Sequence, residues 1–296
     1  MSEHNMNILI AGCGYVGMRA AQFWKQAGHS VFAITRSSSK AEQLAGAGIE
    51  PVTLDLGQQD AWPQLPVVDV LLWSVGFDRA SGQSREVIWI DGFQRLLQAL
   101  PLQEGGRVLM TSSTGVYGDA QGDVVTEETP AIPASESGIV CLKSEDVLRE
   151  YSSATGTSAS ILRLAGIYGP GRLLRRLDEL KNQVPISAPP EDWLNLIHVD
   201  DIVSTLDIVA RMQNPPPLMN LAAAQTATRR EYYSILAELT HSPPPIFGDS
   251  GEAAPGGRRA NGNRRVTSVI RSSLGLTFQH ESVRSGLAQA LSQADR

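Results

Sequence analysis

The hexapeptide Gly12-Cys13-Gly14-Tyr15-Val16-Gly17 limits what this chain can fold into more than any other stretch. Its spacing is G-x-G-x-x-G. It follows the apolar run Asn7–Ala11 and opens a segment, Val16–Ala27, whose apolar residues recur at helical spacing. Between a buried strand and a helix the three glycines have separate duties. Gly12 allows a tight turn, Gly14 lets the backbone approach a pyrophosphate, and Gly17 lets the helix pack closely on the strand. The helix N-terminus adds oriented N–H groups for an anion. Residues from Asn7 to about Arg36 are therefore expected to form the first strand–helix–strand unit of a dinucleotide-binding domain.

Further apolar runs at Ser30–Ile34, Val67–Ser74 and Arg107–Thr111 read as buried strands, with a helical pattern over Glu86–Leu100. A helix is predicted over Ser137–Ser152 and a strand over Ser158–Leu164. Apolar runs that do not alternate suit parallel strands covered on both faces, and parallel strands need crossover helices. The expected fold is α/β: a doubly wound parallel Rossmann sheet with a smaller C-terminal α/β substrate lobe. The cofactor domain is placed at residues 1–170 and the lobe at 171–296, with elements around 196–222 returning to the sheet. After Gly169-Pro170-Gly171 the pattern breaks up: Leu173–Asn182 reads as helical, and Pro185, Pro189 and Pro190 interrupt the chain soon after. The Pro- and Gly-rich segment His241–Asn263 reads as a long exposed loop.

NAD-selective proteins of this type carry an acid about 20 residues beyond the glycines, which bonds the ribose 2′-hydroxyl. Here the second strand runs out as Ala33-Ile34-Thr35-Arg36-Ser37-Ser38-Ser39-Lys40, without a carboxylate. Arg36 offers a guanidinium fork to a 2′-phosphate, and Ser37, Ser38 and Lys40 add donors. NADP(H) is the expected cofactor.

A net charge of −6 argues against a nucleic-acid surface, which requires a concentrated basic face. No stretch approaches the roughly 20 apolar residues of a membrane span. The two cysteines, Cys13 and Cys141, make no disulfide framework and suit a reducing, cytoplasmic setting. His4, His29, His198, His241 and His280 have no metal-ligand spacing along the chain, so no metal is expected.

Several stretches resemble the short-chain dehydrogenase/reductase superfamily in its extended and atypical branches, which include the nucleoside-diphosphate-sugar epimerases and dehydratases. Leu54-Asp55-Leu56 looks like the segment whose aspartate meets the adenine. Ser74-Val75-Gly76 looks like the small-residue turn after the fourth strand. Ser112-Ser113-Thr114-Gly115-Val116-Tyr117-Gly118 is similar to SSxxVYG, and Leu162-Arg163 through Tyr168-Gly169-Pro170-Gly171 to LRxxxxYGPG. Ile197-His198-Val199-Asp200-Asp201 matches IHVDD, and Asn220-Leu221-Ala222 a later strand end. The matches occur in the family's order over nearly the whole chain. The resemblance implies a seven-stranded parallel Rossmann sheet with a C-terminal substrate lobe. It also implies cofactor contacts at Gly12, Gly14, Tyr15, Val16, Gly17, Arg36, Ser37, Lys40, Asp55, Leu56, Ser74, Val75 and Gly76.

The family reaction uses a Tyr and a Lys one helical turn apart, plus a Ser or Thr. The Tyr is the general acid/base and the Lys lowers its pKa. Ser113 fills the Ser/Thr place. The segment Ser137-Gly138-Ile139-Val140-Cys141-Leu142-Lys143-Ser144-Glu145 is similar to YGxSKxxxE, which puts Ser137 at the Tyr place and Cys141 at the Lys place. Lys143 is two residues on and faces another side of a helix.

Three readings follow. An atypical oxidoreductase or epimerase would move hydride on a carbinol or carbonyl carbon, using Ser113 with another acid such as Tyr117, Tyr168 or His198. A non-catalytic module would bind NADP(H) in a redox-sensing or regulatory role. A relic of the fold would serve only as a structure or a partner surface. Leu194 stands where sugar-nucleotide enzymes commonly carry a phosphate-gripping Arg. Arg172 could reach an anion instead, and Tyr168 and Trp193 are candidate pocket residues. Arg258, Arg259, Arg264 and Arg265 read as a solvated basic loop. The expected partner is a small-molecule substrate, with a homodimer through the helices before Ala99 and around Ser137–Tyr151 implied by the resemblance.

Overall fold

Short apolar runs set the strands of one sheet. The computed structural model describes residues 5–58, 61–78, 81–173, 177–248 and 262–293. The first half runs β1 (Asn7–Ala11), α1 (Tyr15–Gln26), β2 (Ser30–Thr35), α2 (Ser38–Gly46), β3 (Glu50–Thr53), β4 (Val68–Trp73), α3 (Phe93–Ala99), β5 (Leu102–Ser113), β6 (Val124–Val125) and α4 (Glu136–Thr155). The second half runs β7 (Ser158–Leu164), β8 (Gly166–Tyr168), α5 (Leu177–Lys181), β9 (Trp193–Leu194), β10 (Leu196–His198), α6 (Val199–Arg211), β11 (Leu218–Leu221), β12 (Ala227–Thr228), α7 (Arg229–Leu239), β13 (Arg265–Val266), α8 (Val269–Ser273) and α9 (Val283–Ser292).

Among the described residues, seven strands form a parallel sheet in the order β11-β7-β5-β4-β1-β2-β3. The ladder between β1 and β2 pairs Leu9 with Phe32, and that between β1 and β4 pairs Leu9 with Leu71. The doubly wound α/β expectation therefore holds. The order reverses between β1 and β4, the topological switch point at which open α/β sheets bind ligands beyond the strand ends.

The chain divides into two compact units, each discontinuous. The first takes in the described residues of Met1–Ser112, Ile139–Leu162 and Val203–Leu218; the second takes in those of Ser113–Gly138, Arg163–Ile202 and Met219–Arg296. The chain passes from one unit to the other after Ser112, Gly138, Leu162, Ile202 and Leu218.

In the first unit Leu9, Leu71, Phe93, Leu96 and Val108 are fully buried in one cluster, and Trp73 stacks on Phe93 with ring centroids 4.1 Å apart. Trp24 of α1 is fully buried, and its indole N–H donates to Asp207 of α6 at 2.9 Å. Arg107 donates to the carbonyls of Val209 and Met212 at the end of α6. The Trp24 bond ties α1 to α6, and the Arg107 bonds tie the end of α6 to β5.

Two elements had little sequence signal. The strand β3 is an edge strand that contains Pro51 and buries no residue fully; an edge tolerates proline because one side of the strand lacks a partner. Helix α2 buries only Leu44. The single helix expected over Glu86–Leu100 is instead wound in the wider i→i+5 form from Val87 to Gly92 before becoming α-helical at Phe93. Gly92 packs on the Leu56 carbonyl, where a Cβ would lie 2.6 Å from that oxygen.

The second unit has its own core of Tyr168, Leu173, Ile186, Tyr232, Tyr233, Leu236 and Leu287. Its short strands pair β8 with β10 and β6 with β13 in parallel, and β9 with β12 antiparallel. Thr228 and Glu231 form a reciprocal capping box at the start of α7. The described part of α5, Leu177–Lys181, lies within the expected Leu173–Asn182 helix, and residues 174–176 of that stretch lie outside the described residues. So do 249–261, which hold most of the expected His241–Asn263 loop, including Arg258 and Arg259.

Candidate functional site

The glycine loop leaves β1 at Ala11 and enters α1 at Tyr15, and its three glycines are required for three different reasons. Gly12 has φ +95°, and a Cβ there would lie 2.4 Å from the Ser74 carbonyl oxygen at the end of β4. The neighbouring Ser74 N–H donates to the Ala11 carbonyl at 2.8 Å, so the turn is seated on the Ser74-Val75-Gly76 segment. At Gly17 a Cβ would lie 2.2 Å from the Gly12 carbonyl oxygen. Gly14 is exposed and a Cβ there would meet nothing within 4 Å. Gly12 and Gly17 thus shape the turn, and Gly14 leaves space over the first turn of α1, where N–H groups have no intrahelical partner. A pyrophosphate fits that cradle.

Val16 is buried under the loop, and Tyr15 is half-buried with the Arg19 guanidinium 3.9 Å above its ring. Burial pushes the Cys13 thiol up to about 11 despite the opposing field of Lys40. It stays protonated at neutral pH and is a poor nucleophile.

At the end of β2, Arg36 and Asp55 line one cavity of about 310 Å³ together with Thr53, Leu54, Gln58 and Trp62. Thr53, Gln58 and Trp62 carry no signal in the sequence, since they lie in the weakly patterned edge strand and the loop that follows it. Asp55 accepts the Gly57 N–H at 2.9 Å, and Leu56 packs against Gly92. Ser37 serves its own helix, where its hydroxyl accepts the Lys40 N–H at 3.3 Å as the N-cap of α2. Arg36 donates to Asp78 at 3.0 Å.

In the second unit, Ser113 ends β5 and caps the short turn Thr114–Tyr117. It is exposed, and its Oγ accepts the Gly115 N–H at 3.1 Å, which uses an acceptor lone pair and leaves the hydroxyl hydrogen able to donate. Tyr117 is buried. Its hydroxyl donates to Asn220 Oδ1 at 2.7 Å, and the Arg163 guanidinium lies 4.8 Å from its ring centre. Burial pushes this phenol upward, against the fields and hydrogen bonds of Arg163 and Asn220. Tyr168 is also buried. Burial, then the charges of Asp201 and Tyr232, push its phenol up strongly, and its hydroxyl has no hydrogen-bond partner among the described residues.

Arg172 is exposed and donates through Nε to the Ile167 carbonyl at 3.0 Å. Trp193 is half-buried beside Arg265, whose guanidinium lies 5.2 Å from the ring centre. Arg264 differs from the solvated loop residue expected: it is buried and donates to the Gly118 carbonyl at 2.6 Å. Folding also brings together His198, Asp200 and His280, with potential ligand atoms within 4.8 Å of one another, which spacing along the chain could not reveal. In this arrangement His198 Nδ1 accepts the Asp200 N–H at 3.2 Å, and Asp200 accepts from Gln289 at 3.2 Å.

A family model for the NAD-dependent epimerases and dehydratases matches residues 8–222, which include the glycine loop, Ser113 and the IHVDD segment. The chain belongs to this epimerase/dehydratase family. Protein YeeZ of Escherichia coli strain K12 is 30% identical over 279 residues, covering 92% of this chain and 96% of YeeZ. A conserved protein of unknown function from Silicibacter pomeroyi has the same fold, with a TM-score of 0.79 and 24% identity over 99% of this chain and all of the other. UDP-glucuronic acid 4-epimerase from Bacillus cereus, solved in complex with NAD, superposes with a TM-score of 0.74 at 18% identity, covering 98% and 97% of the two chains.

Ser137 and Lys143 are exposed, and Cys141 is buried. Cys141 Sγ lies 3.2 Å from the hydroxyl of Ser112, which donates to the buried Glu145 at 2.5 Å; Glu145 also pairs with Arg149 at 2.7 Å. Ser112 is thus committed to holding α4, and Ser113 is the serine of the pair with an accessible hydroxyl.

Proposed function

We propose that this protein binds NADP(H) and is an atypical oxidoreductase or epimerase acting on a carbinol or carbonyl group of a small molecule, in the cytoplasm. The observation that carries this reading is the glycine cradle: Gly12 and Gly17 have no room for a side chain, and Gly14 faces open space. The bound nicotinamide would supply the hydride acceptor or donor. Gly14 and the first turn of α1 would hold the pyrophosphate, Asp55 and the cavity beside it the adenosine, and Arg36 with Lys40 the 2′-phosphate. Ser113 would donate its hydroxyl hydrogen to the reacting oxygen. The NAD in the Bacillus cereus neighbour supports a nicotinamide dinucleotide, and Arg36 in place of an acid supports the phosphorylated form.

A proton donor must replace the missing tyrosine. Tyr117 and Tyr168 are both buried with raised pKa values, which favours packing roles for them and favours solvent or substrate as the proton's source. The same observation supports a second reading, a redox-sensing module that binds NADP(H) without turnover. A screen of carbonyl compounds with NADPH separates the two. The enzyme reading predicts consumption that falls at least about 100-fold in Ser113→Ala with the Kd for NADPH unchanged. NADPH binding with no turnover of any compound supports the module.

A further inference from the structure

We infer that Asp78 sets the cofactor preference by holding Arg36 in competition with a 2′-phosphate. The inference rests on the dinucleotide reading of the same site. No acid follows β2 in the sequence, yet the fold brings one there from the loop after β4: Arg36 Nη2 lies 3.0 Å from Asp78 Oδ2. Both side chains are substantially exposed, at 42% and 54%. Arg36 also lines the cavity that contains Asp55, and among the described residues lining it Arg36 alone is a cation. Asp78 therefore pairs with the cation that lines that cavity.

The two cofactors meet this pair differently. A 2′-phosphate brings about two negative charges and requires the Arg36 fork. It must draw Arg36 from Asp78. A ribose 2′-hydroxyl can donate to Asp78 without disturbing the ion pair. Asp78 therefore restores, from a separate loop, part of the selectivity for the unphosphorylated cofactor that the sequence at the end of β2 lacks. The preference for NADP(H) that Arg36 creates is consequently a narrow one. Exposed ion pairs of this kind have small free energies, so a several-fold effect is expected and not an all-or-none switch.

The test is calorimetric titration of NADPH and NADH into the full chain, into Asp78→Asn, into Arg36→Ala and into the double variant. Asp78→Asn is expected to tighten NADPH about three- to tenfold, to leave NADH unchanged or weaker, and to lose its NADPH gain when Arg36 is already Ala. Unchanged or weaker NADPH binding in Asp78→Asn would overturn the inference, as would an equal change for both cofactors. A gain that persists without Arg36 would also overturn it, since the carboxylate would then act on the phosphate directly. If the parent chain binds neither cofactor, the dinucleotide reading itself fails. If it binds them and Asp78→Asn alters nothing, only the role of Asp78 fails. The exposed positions make both substitutions compatible with folding, which an unchanged Tm checks.

Discussion

Gly12→Ala is expected to abolish measurable NADPH binding and to lower stability by about 3 kcal/mol. Two independent costs act at this residue. Its φ of +95° is strained for any residue with a Cβ, and the added carbon would lie 2.4 Å from the Ser74 carbonyl oxygen and 2.6 Å from Val75 Cα. Both neighbours are backbone at the end of β4, so relief requires the loop to lift from the sheet. That movement displaces Gly14 and the first turn of α1. Gly14→Ala is the control. The added carbon meets nothing in the folded chain, so Tm should stay within about 2 °C of the parent, while NADPH binding weakens because the ligand's space is filled. Thermal melts and NADPH titrations of the two variants distinguish turn from cradle. Equal Tm losses in both would contradict the assignment.

Gly286→Ala is the second large effect, and it tests the role of Tyr168. In an exposed helix this change normally stabilises by about 1 kcal/mol. Here the new Cβ would lie 1.9 Å from the Tyr168 hydroxyl oxygen, 2.7 Å from Cζ and 2.8 Å from Cε2. The ring is buried and meets His198 edge-on at 5.1 Å, so it has little freedom to retreat. A loss of about 2–3 kcal/mol is expected, seen as a Tm lower by roughly 4–8 °C. Tyr168→Phe alone should be neutral or stabilising by about 1 kcal/mol, because it removes a buried hydroxyl that lacks a partner. The double variant should recover part of the loss, since the ring carbons remain close. If Tyr168 supplied the catalytic proton, Tyr168→Phe would instead remove turnover at unchanged Tm.

The parts of the site built from consecutive residues were legible in the sequence. Strand β1, the glycine spacing and the start of α1 are local, and each glycine's duty follows from the turn that they share. The serine pair was legible in part: Ser113 followed from its distance to Tyr117, but the commitment of Ser112 to Glu145 needed α4 against β5 in the first unit. Ser37 resembles a phosphate donor because Ser is both a donor and a cap, and only the position of α2 shows the cap.

What was not legible came from distant segments meeting. Asp78 and Arg36 lie on loops after different strands. His198 and His280 come together although their separation along the chain has no ligand pattern. Strand β3 carries no apolar run because it is an edge, so the cavity beside it, with Trp62 and Gln58, had no signal. The chain changes unit inside α4 and α6 as well as inside β5 and β7, so the division follows from long-range packing and not from local composition.

We propose that this chain holds a phosphorylated nicotinamide dinucleotide in the first unit. Isothermal titration of the purified full chain with NADPH and, separately, NADH tests it most directly. Saturable one-site binding of NADPH in the micromolar range, tighter than NADH by a few-fold, is the predicted result. No heat or Tm change with either cofactor would contradict the claim of a dinucleotide site, and tighter binding of NADH would contradict the role given to Arg36.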